Sequence, residues 1–278
     1  MSIANVSRFI RPADLDAAVA AVRSGALPVS GGTDVMLPPP ARPVNFVDLT
    51  VLPLAGIESY AGGVRIGATT TLTAMLQDPR VAALADGVVA TMLVEVGSPL
   101  LRNRATIGGH LARGRLSDVI PVLLALDATV TWNDGSDHNQ SLGAFYREGR
   151  HKAPLVITAV TIPRPKPPSG AAFRKFTRTA FELAILNCAC RIDLDATGTI
   201  AASRIVVGET PSVGASLGDV EVNLKGRTLT VETIAAAARM AAEAVPARSD
   251  ERASAEYRRS LTGTLVHRCL TEIAERLA

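Results

Sequence analysis

The sequence predicts a two-domain protein of the α+β class, on three observations. Beyond residue 170, strand-like segments come first and helical ones after, the order of an α+β domain rather than of a βαβ repeat. Before it, Pro163-Arg164-Pro165-Lys166-Pro167-Pro168-Ser169-Gly170 suits neither a helix nor a central strand and makes the best boundary in the chain. With 278 residues, 47% hydrophobic and 20% charged, the chain is long and apolar enough to fill more than one core. A net charge of +3 with the basic residues scattered implies no nucleic-acid surface. No apolar run approaches the roughly 20 residues of a membrane helix, and Met1 to Arg11 lacks the apolar core of a signal peptide, so a cytoplasmic protein with no membrane partner is expected.

Taken in order, Pro12, Asp14, Leu15, Ala18, Val19 and Val22 are spaced as a short amphipathic helix, with Pro12 in its first turn and Gly25 as its stop. Leu27 to Val29 follows as a short buried strand, and Pro38-Pro39-Pro40 stiffens the chain beyond it. Asn45 to Leu49 reads as a strand, and Ile57 to Tyr60 with Val64 to Ile66 as a hairpin turned by Gly62-Gly63. Thr70 to Leu76 and Val81 to Val94 read as helices, with Pro79 between them. Val119 to Leu126 is a helix or turn, Asp127 to Trp132 a strand, Asn133-Asp134-Gly135 a turn into another strand, and Leu155 to Ile162 a further β segment. In the second part, Phe173 to Phe176, Leu183 to Ile192 and Ile200 to Val207 read as strands, and Val231 to Ala244 and Ala253 to Leu277 as helices. Cys188, Cys190 and Cys269 are odd in number and lack C-x-x-C spacing, so they read as reduced core thiols rather than as a disulfide framework, an iron–sulfur site or a zinc site.

Two further glycine pairs organise the chemistry: Ser30-Gly31-Gly32-Thr33-Asp34 and Thr106-Ile107-Gly108-Gly109-His110. Consecutive glycines reach positive φ at little cost and aim backbone N–H groups into one concavity, which suits a pyrophosphate; Thr33 and Thr106 add hydroxyls. Taken singly, either pair is also what an ordinary turn requires. Neither G-x-G-x-x-G nor G-x-x-x-x-G-K-[ST] occurs, so no Rossmann or Walker loop is implied.

The segment Val96-Gly97-Ser98-Pro99, Arg102 to Ala112 with its Arg-Asn-Arg-Ala-Thr-Ile-Gly-Gly-His run, Asp118 and Pro121-Val122-Leu123 resembles the second flavin loop of the medium subunits of molybdenum hydroxylases. That is the FAD-binding chain of the carbon monoxide dehydrogenase and xanthine dehydrogenase family. Ser30 to Asp34 resembles its first loop, Ala-Gly-Gly-Thr-Asp, and Tyr257-Arg258-Arg259 with Val266-His267-Arg268 is similar to the end of its C-terminal domain. The resemblance covers essentially the whole chain. It implies a two-subdomain FAD-binding domain of the PCMH type over 1–168, with subdomains of about 1–55 and 56–168, and a smaller α+β C-terminal domain of the CO dehydrogenase flavoprotein type over 171–278. It also implies a large molybdenum-cofactor subunit, a small 2Fe-2S subunit and an acceptor such as NAD.

The resemblance assigns cofactor contacts to Ser30, Gly31, Gly32, Thr33, Asp34, Thr106, Gly108, Gly109 and His110. Asp118 is implied to reach sugar or ribityl hydroxyls, with a helix N-cap as the plainer reading. The stretch Arg113 to Ser117 is one residue shorter than the family pattern and lacks its proline. His110 stands where relatives more often carry Asn or Asp, and reads as a hydrogen-bonding or packing residue rather than a covalent flavin link. Arg178 to Ala184 resembles the Arg-x-x-x-Asp-x-Ala segment that approaches the isoalloxazine ring, with Glu182 for the Asp and an aliphatic Leu183. No catalytic acid, base or nucleophile and no metal site is expected. Two alternatives remain: a member that has lost its flavin and serves as a scaffold, and a serine hydrolase in which Gly214-Ala215-Ser216-Leu217-Gly218 is the nucleophile elbow, with Asp219 and His267. Against the latter, Asp219 to Asn223 alternates like a strand where an elbow needs a helix.

Overall fold

The computed structural model describes residues 5–35, 42–60, 62–166, 168–211 and 213–278, so Pro38-Pro39-Pro40 lies outside the described residues. The chain runs β1 (Val6–Ile10), α1 (Leu15–Arg23), β2 (Leu27–Val29), β3 (Val44–Asp48), β4 (Ile57–Tyr60), β5 (Gly63–Gly67), α2 (Leu72–Gln77), α3 (Pro79–Ala82), α4 (Val88–Glu95), α5 (Pro99–Arg102), α6 (Ile107–Arg113) and α7 (Val119–Ala125). It continues through β6 (Thr129–Asn133), β7 (Asp137–Ser141), α8 (Leu142–Arg147), β8 (Val156–Pro163), β9 (Ser169–Phe176), β10 (Leu186–Leu194), β11 (Ile200–Val207), β12 (Ala215–Ser216), α9 (Gly218–Leu224), α10 (Val231–Ala244) and α11 (Ala255–Leu277). These elements form two compact units that do not follow the chain linearly. One is Met1–Asp78, Ser98–Gly114 and Ala128–Ile162; the other is Pro79–Gly97, Arg115–Asp127 and Pro163–Ala278.

The first unit contains a three-stranded sheet in the order β1-β3-β2 and a five-stranded sheet in the order β4-β5-β8-β6-β7. In the smaller sheet both pairings are parallel, so β2 and β3 present their carboxyl ends on one side, the edge from which loops of such sheets hold ligands. Helix α1 buries Ala18, Val19 and Val22 against Val47, Leu49 and Leu52. Its start differs from the sequence expectation: Asp14, not Pro12, sets it, with the Asp14 carboxylate accepting from the Ala17 N–H at 2.8 Å.

The second unit is built on an antiparallel sheet in the order β12-β11-β10-β9. Side chains alternate along β10. Leu186, Cys188, Cys190 and Ile192 enter the core shared with α9, α10 and α11. Asn187 and Arg191 point the other way: Asn187 donates to Asp118 at 2.6 Å, and Arg191 donates to the Ala125 carbonyl at 3.0 Å and to Asp127 at 2.7 Å. Arg258, from the Tyr257-Arg258-Arg259 run, is fully buried and ties α11 to the Ile185 carbonyl at 2.6 Å and to Asp250 at 2.7 Å.

Two expectations are corrected here. The helix read over Val81 to Val94 is broken: Ala85, Asp86 and Gly87 have φ of 46°, 56° and 80°, which separates α3 from α4. Asp219 to Asn223 is part of α9, not a strand; Val220 and Leu224 are buried one turn apart while Val222 is 76% exposed. Strand β1 and helix α8 had no counterpart in the sequence reading. Among the described residues no helix is long and apolar enough to cross a membrane.

Candidate functional site

The first glycine loop leaves the carboxyl end of β2 directly after Val29. Gly32 alone of its pair is left-handed, with φ of 70°. Gly31 is required for a different reason: a Cβ built there would overlap the carbonyl oxygen of Arg104. The loop therefore lies flat against the segment that opens the second glycine motif, and the Arg104 guanidinium donates to the Gly31 carbonyl at 3.4 Å. Among the described residues nothing accepts from the N–H groups of Gly31, Gly32, Thr33 or Asp34. Ser30 Oγ is buried and has no hydrogen-bond partner among them either. Buried hydroxyls are ordinarily satisfied, so this one stands out as a donor with capacity for a further acceptor.

The second motif is a helix start rather than an open loop, which corrects the expectation of positive φ at both its glycines. Thr106 is the N-cap of α6, with its hydroxyl accepting from the Gly109 N–H at 3.3 Å. The Ile107 N–H donates to the Thr70 carbonyl at 3.1 Å and the Gly108 N–H to the Ala68 carbonyl at 2.8 Å. A Cβ on Gly108 would stand 2.7 Å from both the Cβ and the carbonyl oxygen of Ala68, so this glycine permits close backbone packing. Gly109 is exposed, and among the described residues a Cβ on it would meet only Thr106 Oγ1, at 3.2 Å. The far end of α6 is fixed by Tyr146, whose hydroxyl donates to the Leu111 carbonyl at 3.0 Å.

Helix α6 brings charge to the first loop. Arg113, in its last turn, pairs with Asp34 at 3.0 Å. Together with Arg104 this sets two guanidinium groups beside N–H donors that have no acceptor among the described residues, an arrangement suited to a diphosphate. The sequence reading had not assigned either arginine to the site. His110 is half-buried, and burial first and the Arg113 charge second lower its pKa to about 4, so its ring is neutral near pH 7.

The remaining expected residues belong to the second unit. Asp118 is buried at the N-cap position of α7, but its side chain does not cap the helix; one carboxylate oxygen pairs with Lys175 at 2.8 Å and the other accepts from Asn187 at 2.6 Å. Lys175 also donates to the Glu95 carbonyl at 2.7 Å. Arg178 is exposed and paired with Glu182, which raises the arginine's pKa and lowers that of the carboxyl. Leu183 is 45% exposed and Phe181, with φ of 65°, is 66% exposed, so this turn presents two large apolar side chains to solvent. The hydrolase constellation is not assembled. A helix does follow Ser216, but the Ser216 hydroxyl donates to Glu221 at 2.8 Å, and His267 is an exposed residue of α11.

Two family models match. Residues 4–165 match the FAD binding domain in molybdopterin dehydrogenase, and residues 171–273 match the CO dehydrogenase flavoprotein C-terminal domain. The chain is similar to the 6-hydroxypseudooxynicotine dehydrogenase complex subunit alpha of Paenarthrobacter nicotinovorans, 32% identical over 254 residues that cover 85% of this chain and 81% of the relative. It is also similar to the nicotine 6-hydroxylase medium subunit of the same organism, 30% identical over 242 residues, covering 85% and 84%. Among solved structures, reconstituted CO dehydrogenase from Oligotropha carboxidovorans superimposes with a TM-score of 0.89 at 24% identity over 100% of both chains, which establishes the shared fold.

Proposed function

The chain belongs to the family of FAD-binding domains of molybdopterin dehydrogenases, and from that premise we propose that it is the flavin-carrying medium subunit of a molybdenum-containing hydroxylase. It holds one FAD non-covalently and passes electrons from an iron–sulfur partner to an external acceptor. The observation that carries the reading is the Ser30–Asp34 loop, with a buried unpartnered hydroxyl, four N–H groups without acceptors among the described residues, and two arginines alongside. When bound, FAD supplies the redox chemistry; the protein supplies binding, orientation and electrostatics.

In this reading Ser30 and the N–H groups of Gly31, Gly32, Thr33 and Asp34 donate to the pyrophosphate, and Arg104 and Arg113 offset its charge. Thr106 and Gly108 fix the second loop against the fold, exposed Gly109 leaves a face without a side chain for close approach, and neutral His110 adds a hydrogen bond without a competing charge. Asp118, whose oxygens each retain acceptor capacity beyond Lys175 and Asn187, takes sugar or ribityl hydroxyls. Arg178 and Leu183 are assigned to the isoalloxazine end. The functional division at 1–168 and 171–278 is supported by two family matches, the first ending within the proline stretch at residue 165 and the second beginning just after it at 171.

Activation of the carbon substrate is assigned to a large molybdenum-cofactor subunit and electron relay to a small 2Fe-2S subunit, with NAD or another acceptor downstream, in a cytoplasmic assembly. The purified chain is expected to show flavin absorption, to release FAD on denaturation, and to catalyse at most slow electron transfer from a reduced nicotinamide to a dye. Substrate oxidation should appear only on co-expression with the two partners. A folded chain that takes up no FAD would leave the flavin-less scaffold, and steady substrate oxidation by the molybdenum-free single chain would overturn the proposal.

A further inference from the structure

In the second unit, β10 and α11 bring together three thiols for which the flavin site has no use. Cys188 and Cys190 are two positions apart on β10 and so share a face. Cys269, on α11, packs into the same core. All three are buried, and their sulfurs lie within 4.8 Å of one another, with Cys188 and Cys190 3.7 Å apart. Three sulfurs bound to one ion at about 2.3 Å stand about 4 Å apart in a trigonal arrangement, so the trio already sits within roughly 1 Å of ligation spacing. Among the described residues no His, Asp or Glu joins the group. The cluster thus offers soft donors only, and three of them. Zinc in structural sites takes four ligands, whereas soft sulfur donors also select Cu(I), which three sulfurs suffice to hold.

We propose that Cys188, Cys190 and Cys269 form a three-thiolate site for a single Cu(I) ion. The Cys188 and Cys190 sulfurs are in mutual hydrogen-bond contact, and the Cys269 thiol donates to the Cys188 carbonyl at 3.8 Å. On binding, three copper–sulfur bonds form, three S–H bonds break, and the three protons pass to solvent, with no change in oxidation state. Core cysteines that pack merely as small apolar side chains would do none of this.

The test uses the full chain, reduced and anaerobic. In one arm it is equilibrated for a day with Cu(I) buffered by a chromogenic chelator; in the other it is produced in copper-supplemented cells, which removes any barrier to entry into a closed core. The expected result is about one copper per chain, a shell of three sulfurs by X-ray absorption, and a loss of about tenfold or more in affinity, equivalent to about 1.4 kcal/mol, in Cys188→Ala, Cys190→Ala and Cys269→Ala. Melting curves identify the variants that fold, and the sulfur-only shell of the unsubstituted chain is read independently of them. Copper absent in both arms, nitrogen or oxygen in the shell, or full retention by folded variants would overturn the proposal.

Discussion

The two glycine motifs read alike in sequence and are built by opposite devices. In Ser30–Asp34 the backbone donors are left without acceptors among the described residues, and a left-handed Gly32 turns the chain. In Thr106–His110 the donors are consumed: Ile107 and Gly108 pair with Thr70 and Ala68, and Gly109 with its own N-cap. Both glycines of the first pair answer to the fold: a neighbouring backbone demands Gly31, and Gly32 takes a left-handed φ that favours glycine. In the second pair a neighbouring backbone demands Gly108, whereas Gly109 is exposed. The proposed reading therefore gives Gly108 to the fold and Gly109 to the ligand.

The largest expected effect breaks the fold half of this comparison. Gly31→Val places atoms on the Arg104 carbonyl and is expected to cost about 1–3 kcal/mol of stability, the range of overpacked sites, and to abolish flavin uptake; thermal melting and flavin absorption of one sample check both. Arg113→Gln comes next. Its pair with Asp34 is partly exposed and contributes about 0–1 kcal/mol to stability, but loss of a charged partner to a phosphate corresponds to about 1.5–3 kcal/mol of binding. Titration with FAD should show at least about tenfold weaker affinity with little change in melting. The smallest is Ser30→Ala, expected to weaken FAD binding by about 0.5–1.5 kcal/mol while leaving the apoprotein as stable or slightly more so, because it removes a buried hydroxyl that has no hydrogen-bond partner among the described residues. A destabilised apoprotein with unchanged affinity would show that the Ser30 hydroxyl serves the fold.

Much of the architecture was legible because it rests on local signals. The hairpin at Ile57 to Gly67, the strands on either side of Asp195 to Gly198, and α10 and α11 follow from turn residues and hydrophobic period. The break between α3 and α4 was not, since apolar residues run from Val81 to Ala85 and no glycine or proline occurs between them and Gly87. The Val220 and Val222 alternation misled because the buried partner of Val220 is Leu224, one helical turn on. At the site, the glycines and Thr106 announced themselves. The pairing of Arg113 with Asp34, of Asp118 with Lys175 and Asn187, and of Cys269 with Cys188 and Cys190 spans long sequence separations that no local pattern encodes.

The central claim, that the second pair divides into a fold glycine, Gly108, and a ligand glycine, Gly109, is tested most directly at Gly109. Exposed, and with Thr106 Oγ1 as the single near neighbour of an added Cβ among the described residues, it should accept Val with a change in melting temperature of at most about 2–4 °C, the equivalent of ~1 kcal/mol in a chain of this size. The measurement is the flavin content of purified Gly109→Val, read from its visible absorption alongside a melting curve of the same sample. The expected outcome is a folded protein with less than about a tenth of the parent's flavin; a folded protein with full flavin would contradict the account.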